Sequence, residues 1–201
     1  PMRLPEVNDS SLDGAEPDIL IIGGGISGAS IARELSKWQL NILLVDKESD
    51  LAVQASGRND GEVHPGIDLG KGSLKHKYII NPMAGCVCPY GLTIAYGENA
   101  VMNGAKVSLD TAVTGMEVRD GRIVSVTTNR GVIRPKIVIN AAGVFAEDIA
   151  KMAGDRFYSI HPRRGTNSIL DKKAGSLISS IASIKKLESN PSHTKGGGLL
   201  N

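Results

Sequence analysis

The sequence predicts an α/β fold in which a parallel sheet of dinucleotide-binding type carries a three-stranded antiparallel meander. Three observations predict it. Residues 18–46, DILIIGGGISGASIARELSKWQLNILLVD, read as strand, glycine turn, helix, strand and acid. Residues 112–133 read as three strand-type runs separated by Asp120-Gly121 and by Asn129-Arg130-Gly131. Residues 137–143, IVINAAG, read as a buried strand that breaks at glycine.

Taken in order, residues 1–17 show no periodicity and read as a flexible leader. Residues 18–22 are a short apolar run of strand type. Gly23, Gly25 and Gly28 then fit G-x-G-x-x-G. In that pattern the first glycine permits a tight turn and the second lets a pyrophosphate approach the backbone. The third lets the helix pack close to the strand. The helix begins near Ser27, so the free N–H groups about Ile26 and Ser27 and the positive end of the helix dipole face the phosphates. Trp38, near the end of this helix, reads as a packing residue. Residues 41–45 form the second strand. Asp46 ends it, 18 residues after Gly28, where an acid accepts hydrogen bonds from ribose hydroxyls, and Lys47 follows. A lone glycine motif is weak, and a structural glycine turn is its bland alternative. Here strand, helix and acid all stand in the places the motif requires. The motif does not separate FAD from NAD.

Beyond this unit, residues 47–56 suggest a short helix, and 56–66, SGRNDGEVHPG, a polar glycine-rich loop of the kind that is more often functional than idle. Residues 67–84 give no clear pattern, and Asn81-Pro82 reads as a turn. A helix is expected over 91–103, capped by Gly104, and a strand over 106–110. The meander takes 112–119, 122–128 and 132–133, with Asp120-Gly121 as a strong short hairpin signal. A helix over 145–152 carries Glu147 and Asp148 in its first turn, where the dipole favours acids. Residues 158–164 and 167–170 suggest two further short strands. Residues 181–187 suggest a short helix inside a tail whose polar, low-complexity end reads as a linker. The expected organisation is a leader at 1–17, one domain over 18–175 and an irregular tail over 176–201.

Composition narrows the function classes. The 201 residues carry a net charge of only +2 and few aromatics, which argues against nucleic acid as a partner. No run approaches the ~20 apolar residues that a transmembrane helix needs, and residues 1–17 lack a signal-peptide pattern. A cytoplasmic setting is expected, and nothing supports peripheral membrane association. Cys86 and Cys88 are spaced C-x-C, too close for an unstrained disulfide and too few for a closed zinc site, so no metal site is expected.

Four segments together resemble a known family. They are DILIIGGGISGASIARELS with LLVDKES, SGRNDGEVHPGID, GCVCPYGLTIAYGENAVMNGAKVSLDTAVTGMEV, and IVINAAGVFAEDIAKMAG continued by HPRRGTNSILDK. They are similar to the flavin-dependent oxidoreductases of the D-amino-acid-oxidase superfamily. The branch they resemble in particular contains glycerol-3-phosphate dehydrogenases and L-2-hydroxyglutarate oxidases. The resemblance implies a glutathione-reductase-type FAD-binding fold with FAD extended along the sheet.

In this family the pyrophosphate would lie on Gly23, Gly25 and Gly28 and the adenosine ribose on Asp46, although Glu is more usual there. Lys47 would be a further cofactor contact. Ser56, Gly57 and Gly61 would lie near the pyrophosphate-to-flavin region, Val113 would meet the adenine through its backbone, and Ala141, Ala142 and Gly143 would form a second strand-end contact. His64 falls where relatives place a residue near the flavin ring. It is either the catalytic or flavin-adjacent histidine or a structural loop histidine. Arg163 and Arg164 would bind an acidic substrate, against the preferred reading of a solvated basic pair.

The resemblance also implies oxidation of a CH–OH donor, a hydroxy acid or polyol phosphate, with hydride passing to flavin N5. The chain departs from the family pattern in being about half as long. Only residues 79–84 join segments that relatives separate by much of a substrate domain, and a polar Gly196-Gly197-Gly198 tail replaces the closing glycine-rich segment and helix. Turnover by these residues alone is not expected. A non-catalytic FAD- or nucleotide-binding fragment and an NAD-binding dehydrogenase domain are the two alternatives.

Overall fold

The fold was analysed in a computed structural model, which describes residues 11–63, 85–166 and 173. These fall into two compact units, one drawn from Pro1–Asn59 and Cys88–Arg163, the other from Asp60–Val87 and Arg164–Asn201. In the second unit, β3 (Glu62–Val63) and β4 (Gly85–Cys86) pair antiparallel, with Glu62 opposite Cys86.

The first unit is built on four parallel strands in the order β5-β2-β1-β9. These are β1 (Ile19–Ile22), β2 (Ile42–Val45), β5 (Lys106–Ser108) and β9 (Ile137–Asn140). Every residue of β1 and β2 is buried, as expected for a parallel sheet covered on both faces. Because side chains alternate along a strand, each strand supplies two cores. Ile19, Ile21, Ile42, Leu44 and Val107 point to one face and pack with Ala32, Leu51 and Ala100. Ala32 lies on α1 (Ile26–Leu35) and Ala100 on α2 (Pro89–Met102). Leu20, Ile22, Leu43 and Val45 point to the other face and pack with Val126, Ile133 and Ile149.

That second face is covered by the meander β6 (Val113–Arg119), β7 (Arg122–Thr128) and β8 (Gly131–Ile133), paired antiparallel in that order. The short α3 (Ala146–Met152) supplies Ile149. The expected meander is therefore present. Asp120 and Gly121 have φ +50 and +73, the two left-handed residues that a type I′ hairpin needs.

Several expectations are corrected. Residues 11–17 are not the end of a flexible leader. Leu12 is buried, its N–H donates to the Arg130 carbonyl at 2.9 Å, and Ala15 forms a parallel bridge with Ile133, so the stretch runs along β8. Trp38 is not a packing residue, being 70% exposed. Helix α1 already ends at Leu35, and small residues such as Ala29 and Ala32 bury its inner face. Helix α2 begins at Pro89 rather than 91: proline is pre-organised at a first helical position, and the Cys88 thiol accepts the Gly91 N–H at 3.3 Å. The helix expected over 47–56 is a set of turns with a 3₁₀ turn at Ala55–Gly57. No strand forms among the described residues of 158–164. Instead Ile160 donates its N–H to Glu147 Oε2 and Tyr158 donates its hydroxyl to the Ala146 carbonyl, which hold the segment on α3 without a ladder. The stretches 64–84, 167–172 and 174–201, with the expected 79–84 junction, the 181–187 helix and most of the tail, lie outside the described residues.

Candidate functional site

The parallel strands β1, β2 and β9 end together, and the turns that follow them build one cleft. The turn after β1 is constrained by sterics. Gly23 has φ +113, and a Cβ there would lie 2.4 Å from the Ala141 carbonyl oxygen, so only glycine fits between β1 and β9. A Cβ on Gly28 would lie 1.9 Å from the Gly23 carbonyl oxygen, which explains the close approach of α1 to the turn. Gly25 differs. It is the N-cap of α1, with an extended φ of −76, and a Cβ there would meet only the Ser56 hydroxyl at 2.9 Å.

The loop is held from two sides. Asp46 Oδ2 accepts the Gly24 N–H, while Asp46 Oδ1 accepts the Glu48 N–H at 2.8 Å. Ser56 Oγ accepts the Ile26 N–H at 2.9 Å. The backbone of Asp46 extends the frame: its N–H donates to the Ser108 carbonyl and its carbonyl accepts the Thr111 N–H at 2.7 Å. Asp110, with φ +49, makes the corner between β5 and β6. Asn129 fixes that corner by donating to the Asp110 carbonyl at 3.0 Å and accepting the Ala112 N–H at 2.8 Å.

The cleft has a volume of about 170 Å³. Of the expected cofactor residues, Gly23, Gly25, Ser27, Asp46, Lys47, Ser56, Val113, Ala141, Ala142 and Gly143 all line it. Ile26 stands behind the lining through its bond to Ser56. Gly28 and Gly57 serve packing, a Cβ on Gly57 lying 2.1 Å from the Ala52 carbonyl oxygen. Gly61 belongs to the other compact unit. His64 lies outside the described residues. Arg163 and Arg164 are exposed, and neither is among the residues lining the cleft. Sequence reasoning missed Gln54, Ala55, Thr111, Ala112, Val144, Phe145 and Ile149 as lining residues. Ala55, Ala112 and Val144 directly flank residues it singled out, and Gln54, Thr111 and Phe145 lie two positions away, so the signal was proximity along the turns.

Chemically, the cleft joins apolar walls, one carboxylate, one ammonium and the N-terminal end of α1. That end carries no acidic residue in its first turn. The Ile26 N–H, expected to be free, is given to Ser56 Oγ, so the remaining N–H groups and the dipole favour an anion. Where Gly23 and Gly25 line the wall, an approaching group meets main chain directly. This suits an extended dinucleotide, with phosphates over the glycines and an apolar base and ribose to the side.

Comparison with known proteins agrees. The family model described as FAD dependent oxidoreductase matches residues 18–81 and 72–194. Glycerol 3-phosphate dehydrogenase of Caloramator mitchellensis is 28% identical over 80% of this chain and 49% of its own length. The mitochondrial L-2-hydroxyglutarate dehydrogenase of Caenorhabditis elegans is 42% identical over 43% of this chain and 18% of its own. Among solved structures, the L-alpha-glycerophosphate oxidase from Mycoplasma pneumoniae with FAD bound superposes with a TM-score of 0.60. It is 23% identical over 69% of this chain and 57% of that one. Glycine oxidase from Geobacillus kaustophilus gives 0.61 at 15% identity, over 70% and 59%. The chain thus spans about half the length of the first of these relatives. The family match also decides for FAD over NAD. The parallel sheet with its meander, the glycine cleft and a family match over most of the sequence lead to one conclusion: this chain belongs to the FAD dependent oxidoreductase family.

Proposed function

We propose that this chain is the FAD-holding portion of an oxidoreductase that oxidises a CH–OH donor, a polyol phosphate or 2-hydroxy acid of the glycerol 3-phosphate or 2-hydroxyglutarate type. The cleft at the ends of β1, β2 and β9 carries the reading. Its glycines admit a pyrophosphate where side chains would block it, and α1 aims its dipole there. Asp46 would stand at the adenosine ribose and Val113 at the adenine, with Lys47 a further cofactor contact on the same wall. Ala141, Ala142 and Gly143 would support the middle of the cofactor. When bound, the flavin supplies the acceptor for a hydride from the substrate carbon. The residues of this chain bind and orient it. His64 is the candidate base for the hydroxyl proton, and Arg163 and Arg164 are candidates for the charge of an acidic substrate. The names of the relatives support this substrate class. The family match in two segments that meet at 72–81 supports a shortened substrate region there. Among the described residues no helix is long and apolar enough to cross a membrane.

A second reading, a nucleotide-binding fragment without turnover, is favoured by Arg163 and Arg164 being exposed and outside the lining of the cleft. One experiment separates the two. Purified protein reconstituted with FAD should show a bound-flavin band near about 450 nm. Anaerobic addition of glycerol 3-phosphate or L-2-hydroxyglutarate should then bleach it. Bound flavin that no donor bleaches leaves the fragment, and failure to bind flavin overturns both.

A further inference from the structure

Lys47 and Phe145 reach toward each other from opposite walls of the cleft. Lys47 follows β2, Phe145 follows β9, and β1 lies between those strands in the sheet. The Lys47 ammonium sits 3.5 Å from the centroid of the Phe145 ring. This is well inside the ~6 Å within which the negative face of an aromatic ring holds a cation. Both residues line the cleft. The contact therefore ties together the two walls that flank the glycine turn of β1. Among the described residues no carboxylate grips Lys47 comparably: the Glu48 carboxylate is 3.9 Å away, and the oxygen concerned also accepts the Gln54 amide at 2.5 Å. Phe145 is 37% exposed, so its ring is not locked in the core.

We propose that the pair is a strap across the cleft, and that an incoming diphosphate takes the Lys47 ammonium from the Phe145 ring. The physical ground is a difference in strength. An exposed cation–π contact is weak, whereas an ammonium–phosphate pair is charge-assisted and stronger. The contact spans the cleft and yields to a ligand class that binds the cation more strongly than the ring does. The inference rests on the nucleotide reading of the cleft and adds an order of events to it.

The test measures ADP and FAD binding, by calorimetry and stopped-flow fluorescence, for the wild type, Phe145→Leu, Phe145→Tyr, Lys47→Met and the Lys47→Met/Phe145→Leu double variant. Circular dichroism melts check that each is folded. Phe145→Leu keeps apolar volume but removes the ring, so ADP should associate faster and bind about two- to fivefold tighter, the factor an exposed cation–π contact represents. Phe145→Tyr keeps the ring and should match the wild type. Lys47→Met should bind ADP more weakly with a shallower salt dependence, and in its background Phe145→Leu should add nothing. An unchanged ADP affinity and association rate in Phe145→Leu overturns the strap. So does an equal gain from Phe145→Leu with and without Lys47. If wild-type protein binds neither ADP nor FAD, the nucleotide reading itself falls and takes the strap with it.

Discussion

Asp46 and Gly24 are joined across the cleft: the carboxylate at the end of β2 accepts the main-chain N–H of a residue 22 positions earlier, in the turn after β1. Its other oxygen holds the Glu48 N–H at 2.8 Å. An acid at this place is expected to receive ribose hydroxyls. Here it first shapes the loop that would receive the phosphates.

Asp46→Ala should therefore lower stability even without ligand. A hydrogen bond to a charged group contributes about 1.5–3 kcal/mol, and both donors, the Gly24 and Glu48 N–H groups, lose their side-chain acceptor. Asp46→Asn keeps one acceptor oxygen but turns an NH₂ toward a main-chain donor, so it should lose nearly as much. Urea titration of the ligand-free protein reads this. A residue used only for the ribose would leave the midpoint unchanged and lower FAD affinity alone.

The glycines of the motif should separate by phenotype. At Gly28 an added Cβ meets main-chain oxygen at 1.9 Å, and neither partner is a flexible side chain. Gly28→Ala should cost more than ~3 kcal/mol, in the range of severe overpacking, and yield little folded protein. At Gly25 the obstacle is the Ser56 hydroxyl, which can rotate, and φ is allowed for alanine. Gly25→Ala should fold with a melting temperature within a few degrees of the wild type but bind FAD far more weakly, because its methyl stands where a phosphate would approach. Paired melting and binding curves distinguish the two. Equal loss of folding in both would assign Gly25 to packing as well.

Trp38 offers a direct spectroscopic check. It is the only tryptophan and 70% exposed, just beyond α1. Its fluorescence should resemble that of a free indole in water and be quenched fully by iodide. Trp38→Ala should change stability by no more than about 0.5 kcal/mol, as for surface substitutions away from special features. A blue-shifted, protected emission would show that this face is covered in solution.

Trp38 also marks where the sequence stops being informative. Its aromatic character predicts packing, but burial at that point depends on where α1 ends, and boundaries are poorly encoded locally. The glycine turn was legible because its requirements are steric and local: Gly23 and Gly28 face main-chain atoms. The Asp120-Gly121 hairpin was legible for the same reason. The role of Asp46 on Gly24 was hidden because it joins two strands through tertiary pairing. Phe145 was hidden because its significance lies in Lys47, which reaches it only once β2 and β9 flank β1. The anchoring of residues 11–17 on β8 was hidden because its bonds are mostly main chain to main chain, with the Asp13 carboxylate accepting the Val132 N–H, and leave no periodic signal.

The last prediction concerns the end of the sheet away from the cleft. Asp18 precedes β1, accepts the Lys136 ammonium at 2.6 Å ahead of β9, and accepts the Asn41 N–H at 2.8 Å ahead of β2. One carboxylate thus ties the starts of three neighbouring strands. The Lys136 hydrogen bond, followed by that of Asn41, holds the Asp18 carboxyl below the usual carboxylate range, and the Asp18 hydrogen bond raises the Lys136 ammonium. A depressed acid contributes stability that is complete above its unfolded value, about 3.9, and is lost as pH falls through the folded value. A raised lysine contributes stability that is complete below its unfolded value, about 10.4, and is lost as pH rises through the folded value. The pair therefore acts fully from about pH 4 to pH 10 and fades outside those limits. Asp18→Asn keeps an acceptor for Asn41 while removing the charge. Its melting temperature should fall below the wild type by a small, constant amount across the neutral range. The gap should close as pH falls below about 4, narrow as pH rises above about 10, and shrink in high salt because both groups reach solvent. A gap independent of pH and salt would mean that Asp18 acts through its hydrogen bonds alone, with no contribution from the charge of Lys136.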